Sequence, residues 1–191
     1  MSKETPVYVT GMGAVTPLGL GMDETWRNIK AGKSSVKRID DLIDTTDLKS
    51  KIGSPVDDFD PTEWFNRKRA RRLGRPSQFA IVAAGEALKD AGWDVEKDDR
   101  SVEVGVVAGT GIGNLHPLIE NHQKMIDRGP RRVSPFLIPQ LMPNAAAAQI
   151  SIEFGFSGPN YGAVSACASG AHAVGEAFEE LRSGGADMMV A

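Results

Sequence analysis

Short apolar runs alternate along the chain with longer segments in which apolar residues recur every three or four positions. The runs are short, apolar and rich in valine, and small or turn-forming residues flank them, which is typical of buried strands. They predict strands at 7–10, 102–108, 161–165 and 187–191. The longer segments predict helices, since their apolar positions fall on one helical face.

Helix boundaries are predicted from capping side chains at the start and glycines at the end. Asp23, Ser77 and Asn144 are the expected N-caps. The predicted helices are 23–31, 78–91, 115–127, 144–154 and 167–182, while 33–63 and 129–143 are polar or interrupted by prolines and are expected to be loops. Strands alternating with helices predict an α/β fold with a mainly parallel sheet.

Composition narrows the class of protein. The 191 residues are 41% hydrophobic and 25% charged, which fits one globular domain or one half of a two-part unit. A net charge of −3 gives no global sign of nucleic-acid binding. No apolar stretch approaches the ~20 residues of a membrane span. The start lacks the apolar core of a secretory signal, and a single cysteine excludes an intrachain disulfide, so a cytoplasmic location is expected.

Cys167 directly follows one predicted strand and begins a predicted helix, within a run of small residues. A nucleophile on such a turn is held exposed at the positive end of a helix, which stabilises a thiolate and offers backbone N–H groups to an oxyanion. A lone cysteine is also commonly a small buried hydrophobe. Position alone therefore leaves both interpretations open.

The three histidines do not supply an obvious base or metal site. His172 is five positions after Cys167, roughly 140° around a helix axis, whereas neighbouring side chains are three or four positions apart. His116 and His122 are six apart, and no cysteine or carboxylate cluster accompanies them, so no metal site is predicted. The glycine runs at 11–13 and 109–113 depart from a dinucleotide fingerprint and predict tight turns.

A compact basic run occupies 67–72. Lys68, Arg71 and Arg72 would share one helical face, where an acidic partner could bind through charge-assisted contacts. A solvated basic face is the simpler interpretation of the same spacing.

Four motifs in order resemble the N-terminal half of the β-ketoacyl-[acyl-carrier-protein] synthases, of the elongating type II kind. They are VTGMGAVTPLG at 9–19, GTGIG at 109–113, GPRRVSPF at 129–136 and SACASG at 165–170. Asp187 and the strand after it also match. The resemblance covers nearly the whole chain, so residues 1–191 are interpreted as one N-terminal ketosynthase half.

The resemblance implies a thiolase-like fold of two pseudo-symmetric α/β halves, an acyltransferase active as a homodimer and without a cofactor. Cys167 would take an acyl group from acyl carrier protein, and the carbanion formed by decarboxylation of a malonyl thioester would attack it to give a 3-oxoacyl chain. The Cys167 N–H would form part of the oxyanion hole. Ile112 and Phe136 would line the acyl pocket, and Lys68, Arg71 and Arg72 would contact the carrier protein.

One departure from the family is large. Its two catalytic histidines and a lysine belong to the C-terminal half, and none of the three histidines here matches them. The 191-residue chain alone is therefore expected to be inactive, with the other half supplied by a longer or second polypeptide. Fatty-acid elongation is the main hypothesis. The alternatives are a polyketide ketosynthase, a non-catalytic carrier-binding heterodimer subunit, which usually lacks the cysteine, and a cysteine hydrolase, which would need a nearby histidine.

Overall fold

The computed structural model describes residues 6–94 and 102–191. Its strands are β1 Val15–Thr16, β2 Gly19–Leu20, β3 Lys37–Arg38, β4 Ile52–Gly53, β5 Val104–Gly109, β6 Asn160–Ala163 and β7 Met188–Val190. Its α-helices are α1 Met22–Lys30, α2 Arg67–Ala70, α3 Arg75–Asp90, α4 His116–Arg128, α5 Leu137–Leu141, α6 Ala145–Phe154 and α7 Ser169–Ser183. Among these helices none is long and apolar enough to cross a bilayer.

The central sheet has three parallel strands in the order β6–β5–β7. Gly109 at the end of β5 is in register with Ala163 at the end of β6, and Val104 is in register with Met188 of β7. Helices connect all three strands, as parallel pairing requires. The predicted α/β fold with a mainly parallel sheet is confirmed.

Helices cover both faces of this sheet. Val106 of β5 is completely buried and packs with Ile81 and Ala84 of α3 and with Ile150 of α6. Because side chains alternate along a strand, Gly109, three residues further, faces the opposite side, where it meets the start of α7. The result is a layered arrangement with α3 and α6 on one face and α7 on the other.

The predicted helices are all present, with shifts at their ends. Helix α3 begins at Arg75 rather than after Ser77, because Pro76 already has the backbone φ of a first helical turn. Ser77 lies within the helix and is buried. The loop predicted at 129–143 contains the short helix α5. Pro139 is tolerated there because it lies in the first turn, where its missing N–H has no helical partner.

The prediction of a strand at 7–10 is wrong. This segment pairs with no strand, and Tyr8 and Val9 are 75% and 81% exposed. Both sides of β5 are already occupied, by β6 and β7, so no central position is open to it. The chain that follows is instead attached to α3, where Asp90 accepts a hydrogen bond from the Met12 N–H at 2.9 Å.

Two two-stranded antiparallel pairs lie outside the central sheet, β1 with β2 and β3 with β4. The second pair falls in the predicted loop at 33–63, which is otherwise irregular apart from a 3-10 turn at Pro61–Glu63. The loop prediction is therefore largely confirmed. Arg75 closes the end of this loop, since its guanidinium lies over the rings of Phe59 and Phe79 and donates to the Val56 carbonyl at 2.6 Å.

Gly13 tests how closely the N-terminal segment packs on α3. A Cβ at this position would lie 2.0 Å from the Ala83 carbonyl oxygen, a contact that only backbone movement relieves. We expect Gly13→Ala to lower the free energy of unfolding by about 1–3 kcal/mol in urea denaturation. Gly175→Ala is the matched control, since it has free space within α7 and should raise stability by about 0.5–1 kcal/mol. Equal effects of the two substitutions would contradict the close approach.

Candidate active site

The parallel register of β5 and β6 brings two of the sequence motifs together. Both strands end at the same edge of the sheet, β5 at Gly109 and β6 at Ala163. The Thr110 N–H donates to the Ala163 carbonyl at 3.0 Å, which extends the pairing one residue beyond the strands. The carboxyl edge of a parallel sheet is where open α/β folds hold their ligands. The glycine-rich turn and the cysteine turn therefore share one site.

Cys167 lies in the middle of a 3-10 turn, Ala166–Ala168, that precedes α7. The prediction that it begins the helix itself is corrected, since α7 begins at Ser169. Cys167 is exposed and is a free thiol. The first bond of the turn runs from the Ala168 N–H to the Ser165 carbonyl, so the Cys167 N–H precedes it and has no partner within the turn.

The backbone just before the cysteine is strained. Ala166 has φ of 51° and is the only non-glycine residue with positive φ among the described residues. A left-handed conformation costs an L-residue with a Cβ about 1–2 kcal/mol, so the surroundings must hold it in place. Such a turn directs the next side chain away from the sheet edge, as in a nucleophile elbow.

Ser169 connects the two turns. It is 3% exposed, and its hydroxyl lies 2.8 Å from the Thr110 carbonyl oxygen and 2.7 Å from that of Ala166. The Ser169 Oγ also accepts a hydrogen bond from the Ser165 N–H at 2.9 Å. No role for Ser169 was predicted from the sequence. The available signal was a hydroxyl at the start of a helix within a run of alanine and glycine.

His172 is bonded to Ser165 rather than to the cysteine. Its Nδ1 lies 2.5 Å from the Ser165 Oγ; His172 is exposed and Ser165 is half-buried. Within the described residues no histidine forms a hydrogen bond with Cys167. This arrangement agrees with the helical spacing, which does not place His172 beside the cysteine.

The glycine run after β5 packs tightly, as the sequence predicted. A Cβ on Gly109 would lie 2.4 Å from the Ser169 carbonyl oxygen, and Gly113 has φ of +80°. Gly111 faces the Ala166 carbonyl, with 3.8 Å to an ideal Cβ. Ile112 stands between Gly111 and Gly113, and its side chain is 64% exposed. Its backbone is therefore next to the cysteine turn.

Phe136 is half-buried at the start of α5, on the segment that follows α4. Asn121, a buried side chain of α4, accepts the Ser134 N–H at 2.7 Å, and the Ser134 hydroxyl accepts the Phe136 N–H at 3.1 Å. The Arg72 guanidinium lies 4.9 Å from the centre of the Phe136 ring. The structure thus brings Phe136 together with one residue of the basic run.

The basic run divides into side chains with different surroundings. Helix α2 ends at Ala70, so Arg71 and Arg72 follow the helix rather than continue it, and the predicted single helical face is only partly formed. Lys68, Arg71 and Arg72 are exposed, and no acidic side chain in the described part of the chain pairs with them. Arg69 forms an ion pair with Glu153 of α6 and belongs to the packing.

A metal site was not predicted. Across 6–94 and 102–191, no group of three or more histidine, cysteine, aspartate or glutamate side chains is arranged to hold a metal ion.

The layered parallel sheet and the exposed cysteine on a strained turn at its carboxyl edge define a class, the cysteine-bearing α/β domains with a thiolase-like fold. Residues 4–191 match the family described as Beta-ketoacyl synthase, N-terminal domain. The chain belongs to the β-ketoacyl synthase family, and the resemblance stated from its motifs is confirmed.

The chain is similar to curated relatives over its whole length. It is 40% identical over 190 residues to 3-oxoacyl-[acyl-carrier-protein] synthase 2 of Staphylococcus aureus strain N315, covering 100% of this chain and 45% of that protein. It is 38% identical over 192 residues to the protein of the same name from Rhizobium meliloti strain 1021, covering 97% and 45%. The chain thus spans about half the length of the curated relatives it matches.

Solved structures confirm the fold. A β-ketoacyl synthase from Burkholderia phymatum STM815 superposes with a TM-score of 0.80 at 32% identity, covering 93% of this chain and 44% of that one. A type II PKS acyl-carrier protein in complex with its ketosynthase, bound to the hexaketide, contains a chain with a TM-score of 0.77 at 25% identity, covering 93% and 47%.

Proposed function

We propose that this chain is the acyl-accepting half of a 3-oxoacyl-[acyl-carrier-protein] synthase that elongates fatty acids. The observation that carries the proposal is the exposed Cys167 on the strained turn beside the glycine run. The full-length similarity to 3-oxoacyl-[acyl-carrier-protein] synthase 2 proteins supports the choice of substrate class.

In this function the Cys167 Sγ attacks the carbonyl carbon of an acyl thioester on the carrier protein. The new Sγ–C bond replaces the bond to the carrier's sulfur, and the carrier leaves as the free thiol with the proton that Cys167 gives up. The Cys167 N–H, which has no partner within its turn, is suited to bind the oxyanion formed during this transfer. A malonyl carrier thioester then loses CO2, and its carbanion attacks the acyl carbon and releases the Cys167 thiolate.

The second step requires groups that stabilise the developing enolate, and these are worth several kcal/mol when preorganised. We propose that the C-terminal half of the family supplies them. Two findings support this division of roles: the chain spans 45% of its relatives' length, and no histidine among the described residues bonds to Cys167.

Ile112 and Phe136 are proposed to line the acyl pocket, and the complete enzyme is proposed to be a homodimer. The exposed side chain of Ile112 supports the pocket proposal, since Ile112 follows a glycine that faces the cysteine turn. Helices α4 and α5 also carry exposed apolar side chains, namely Ile119, Ile126 and Ile138.

A polyketide ketosynthase is the second candidate. One solved structure similar to this chain is the ishigamide ketosynthase/chain length factor, with a TM-score of 0.80 at 26% identity. Cys167 argues against the non-catalytic subunit of such a pair, and the absence of a bonded histidine in the described residues argues against a cysteine hydrolase. Turnover with fatty acyl rather than polyketide primers would separate the first two candidates.

Cys167 is expected to be the acylated residue. The test incubates the complete synthase with an acyl-carrier thioester and locates the adduct by mass spectrometry. Cys167→Ser should lose at least about 100-fold in acyl transfer, since an alcohol is far less ionised than a thiol near neutral pH. The 191-residue chain alone should show no condensation with the malonyl thioester. An adduct on any other residue, or condensation by this chain alone, would disprove the assignment of roles.

The basic run is expected to bind carrier protein through Lys68 and Arg71. Reversing both charges (Lys68→Glu with Arg71→Glu) should raise KM for a carrier-bound substrate roughly tenfold, because two rim charges then repel an acidic partner. KM for the same acyl group on a small thioester should stay within twofold. Lys33→Glu with Lys49→Glu is the matched control, with the same change of net charge on an exposed loop. If both pairs act alike, the effect is one of net charge and the docking role is wrong.

Ile112 is expected to limit the length of the acyl primer. A larger side chain here would fill pocket volume, which close-packed sites tolerate at a cost of ~1–3 kcal/mol. Ile112→Phe should therefore restrict the enzyme to short primers while leaving alkylation of Cys167 by iodoacetamide within twofold. Competition between short and long acyl primers measures the preference. Unchanged use of long primers would remove Ile112 from the pocket.

A further inference from the structure

The Ser169 hydroxyl holds three backbone groups around the cysteine turn at once. It accepts the Ser165 N–H on one side of Ala166, and it lies within hydrogen-bond distance of the carbonyls of Ala166 and Thr110. A hydroxyl has one proton, so it donates to one of these carbonyls at a time or is shared between them. At 3% exposure, water does not substitute for these bonds.

These bonds bracket the strained residue. Ala166, with φ of 51°, immediately precedes Cys167, and the Ser169 hydroxyl contacts the backbone on both sides of its Cα, at the Ser165 N–H and the Ala166 carbonyl. A left-handed alanine persists only where the surrounding structure over-determines it. Within the described residues, Ser169 is the side chain that bonds to this stretch of backbone from the buried side.

The glycine turn makes this bonding possible. Ser169 reaches the Thr110 carbonyl because β5 ends in Gly109, where a Cβ would lie 2.4 Å from the Ser169 carbonyl oxygen. The start of α7 and the end of β5 are therefore in backbone contact. The position of the cysteine turn relative to the glycine turn is fixed through one hydroxyl.

We propose that Ser169 is a positioning residue, whose hydroxyl holds the Ala166 backbone in its left-handed conformation and thereby directs the Cys167 thiol toward the acyl carbonyl. The proposal rests on the function proposed above. Ser169 touches neither substrate nor thiol in this role. It acts on the rate of acyl transfer, because a displacement of about 1 Å at a reacting atom can cost about 100-fold.

The docking of α7 does not depend on this hydroxyl. Ala173 and Ala177 of α7 are buried, and the Tyr161 hydroxyl of β6 donates to Glu180 at 3.2 Å. Burial, together with the neighbouring Glu180 carboxylate, raises the pKa of Tyr161, so the phenol keeps the proton that it donates. Removing the Ser169 hydroxyl should therefore release the turn without releasing the helix.

The test compares Ser169→Ala, Ser169→Thr and Ser183→Ala in the complete synthase. Thr retains a hydroxyl, and Ser183 is the matched control, an exposed serine on the same helix that bonds only to the Glu180 carbonyl. Four quantities are measured in each protein: the rate constant and KM for acyl transfer from an acyl-carrier thioester to Cys167, the rate of iodoacetamide alkylation, and Tm.

We expect Ser169→Ala to lower the acyl-transfer rate constant roughly 10–100-fold while KM stays within twofold. Alkylation by iodoacetamide, which needs access but no fixed direction of approach, should stay within threefold. Ser169→Thr should recover most of the rate, and Ser183→Ala should behave as wild type.

Three results would overturn the proposal. The first is a wild-type acyl-transfer rate in Ser169→Ala. The second is an equal loss of acyl-transfer rate and of Tm in Ser169→Ala and Ser169→Thr. Such a result would mean that retaining the hydroxyl has no effect, as expected for a purely structural role. The third is a wild-type protein that is not acylated at Cys167. That result would reject the proposed function as well. It is distinguished from a failure of the Ser169 proposal alone because the wild-type protein is assayed before any variant.

Discussion

The register of two neighbouring parallel strands is the constraint on which the site depends. Gly109 and Ala163 end their strands side by side, so the turns that follow must occupy the same small volume at the sheet edge. This is sterically possible only because Gly109 has no side chain, since a Cβ there would lie 2.4 Å from the Ser169 carbonyl oxygen. A glycine at one strand end therefore determines how closely α7, and the cysteine before it, approaches the sheet.

The close approach has an energetic consequence at Ala166. A left-handed alanine is unfavourable by about 1–2 kcal/mol, and the chain maintains it next to the residue with the proposed chemical role. The burial of β5 and the packing of α7 supply the rigidity, since strain is stored only where surrounding contacts outweigh it. The packing of the layers thus holds the strained turn in place. Substitutions in the core near β5 will therefore also change the position of the Cys167 thiol.

Sequence patterns predicted the layers better than the edges of the fold. The apolar run of β5 and the helical periodicity of α3 are strong because both reflect burial in the central layers. The segment 7–10 has the same apolar composition but no partner strand, and strand pairing is a tertiary property that a local pattern does not contain. Cys167 and its turn could be located from motif order. The role of Ser169 could not, because its contact with the Thr110 carbonyl depends on the register of β5 with β6.

The structure also changes what the basic run can do. Arg67 interacts electrostatically with Asp60, Arg69 is paired with Glu153, and Arg72 lies over the Phe136 ring. Of the five cations in the run, Lys68 and Arg71 are those without an acidic or aromatic partner in the described residues. A cation–π contact at an exposed site is worth about 0.5–1 kcal/mol, and an exposed ion pair about 0.2–1 kcal/mol. The ion pair that Arg72 could form with one carboxylate of a partner is therefore worth no more free energy than the cation–π contact that it would give up. Arg72 should stay on Phe136 when an acidic partner binds, so that the docking surface and the wall of the proposed acyl pocket remain connected through one side chain.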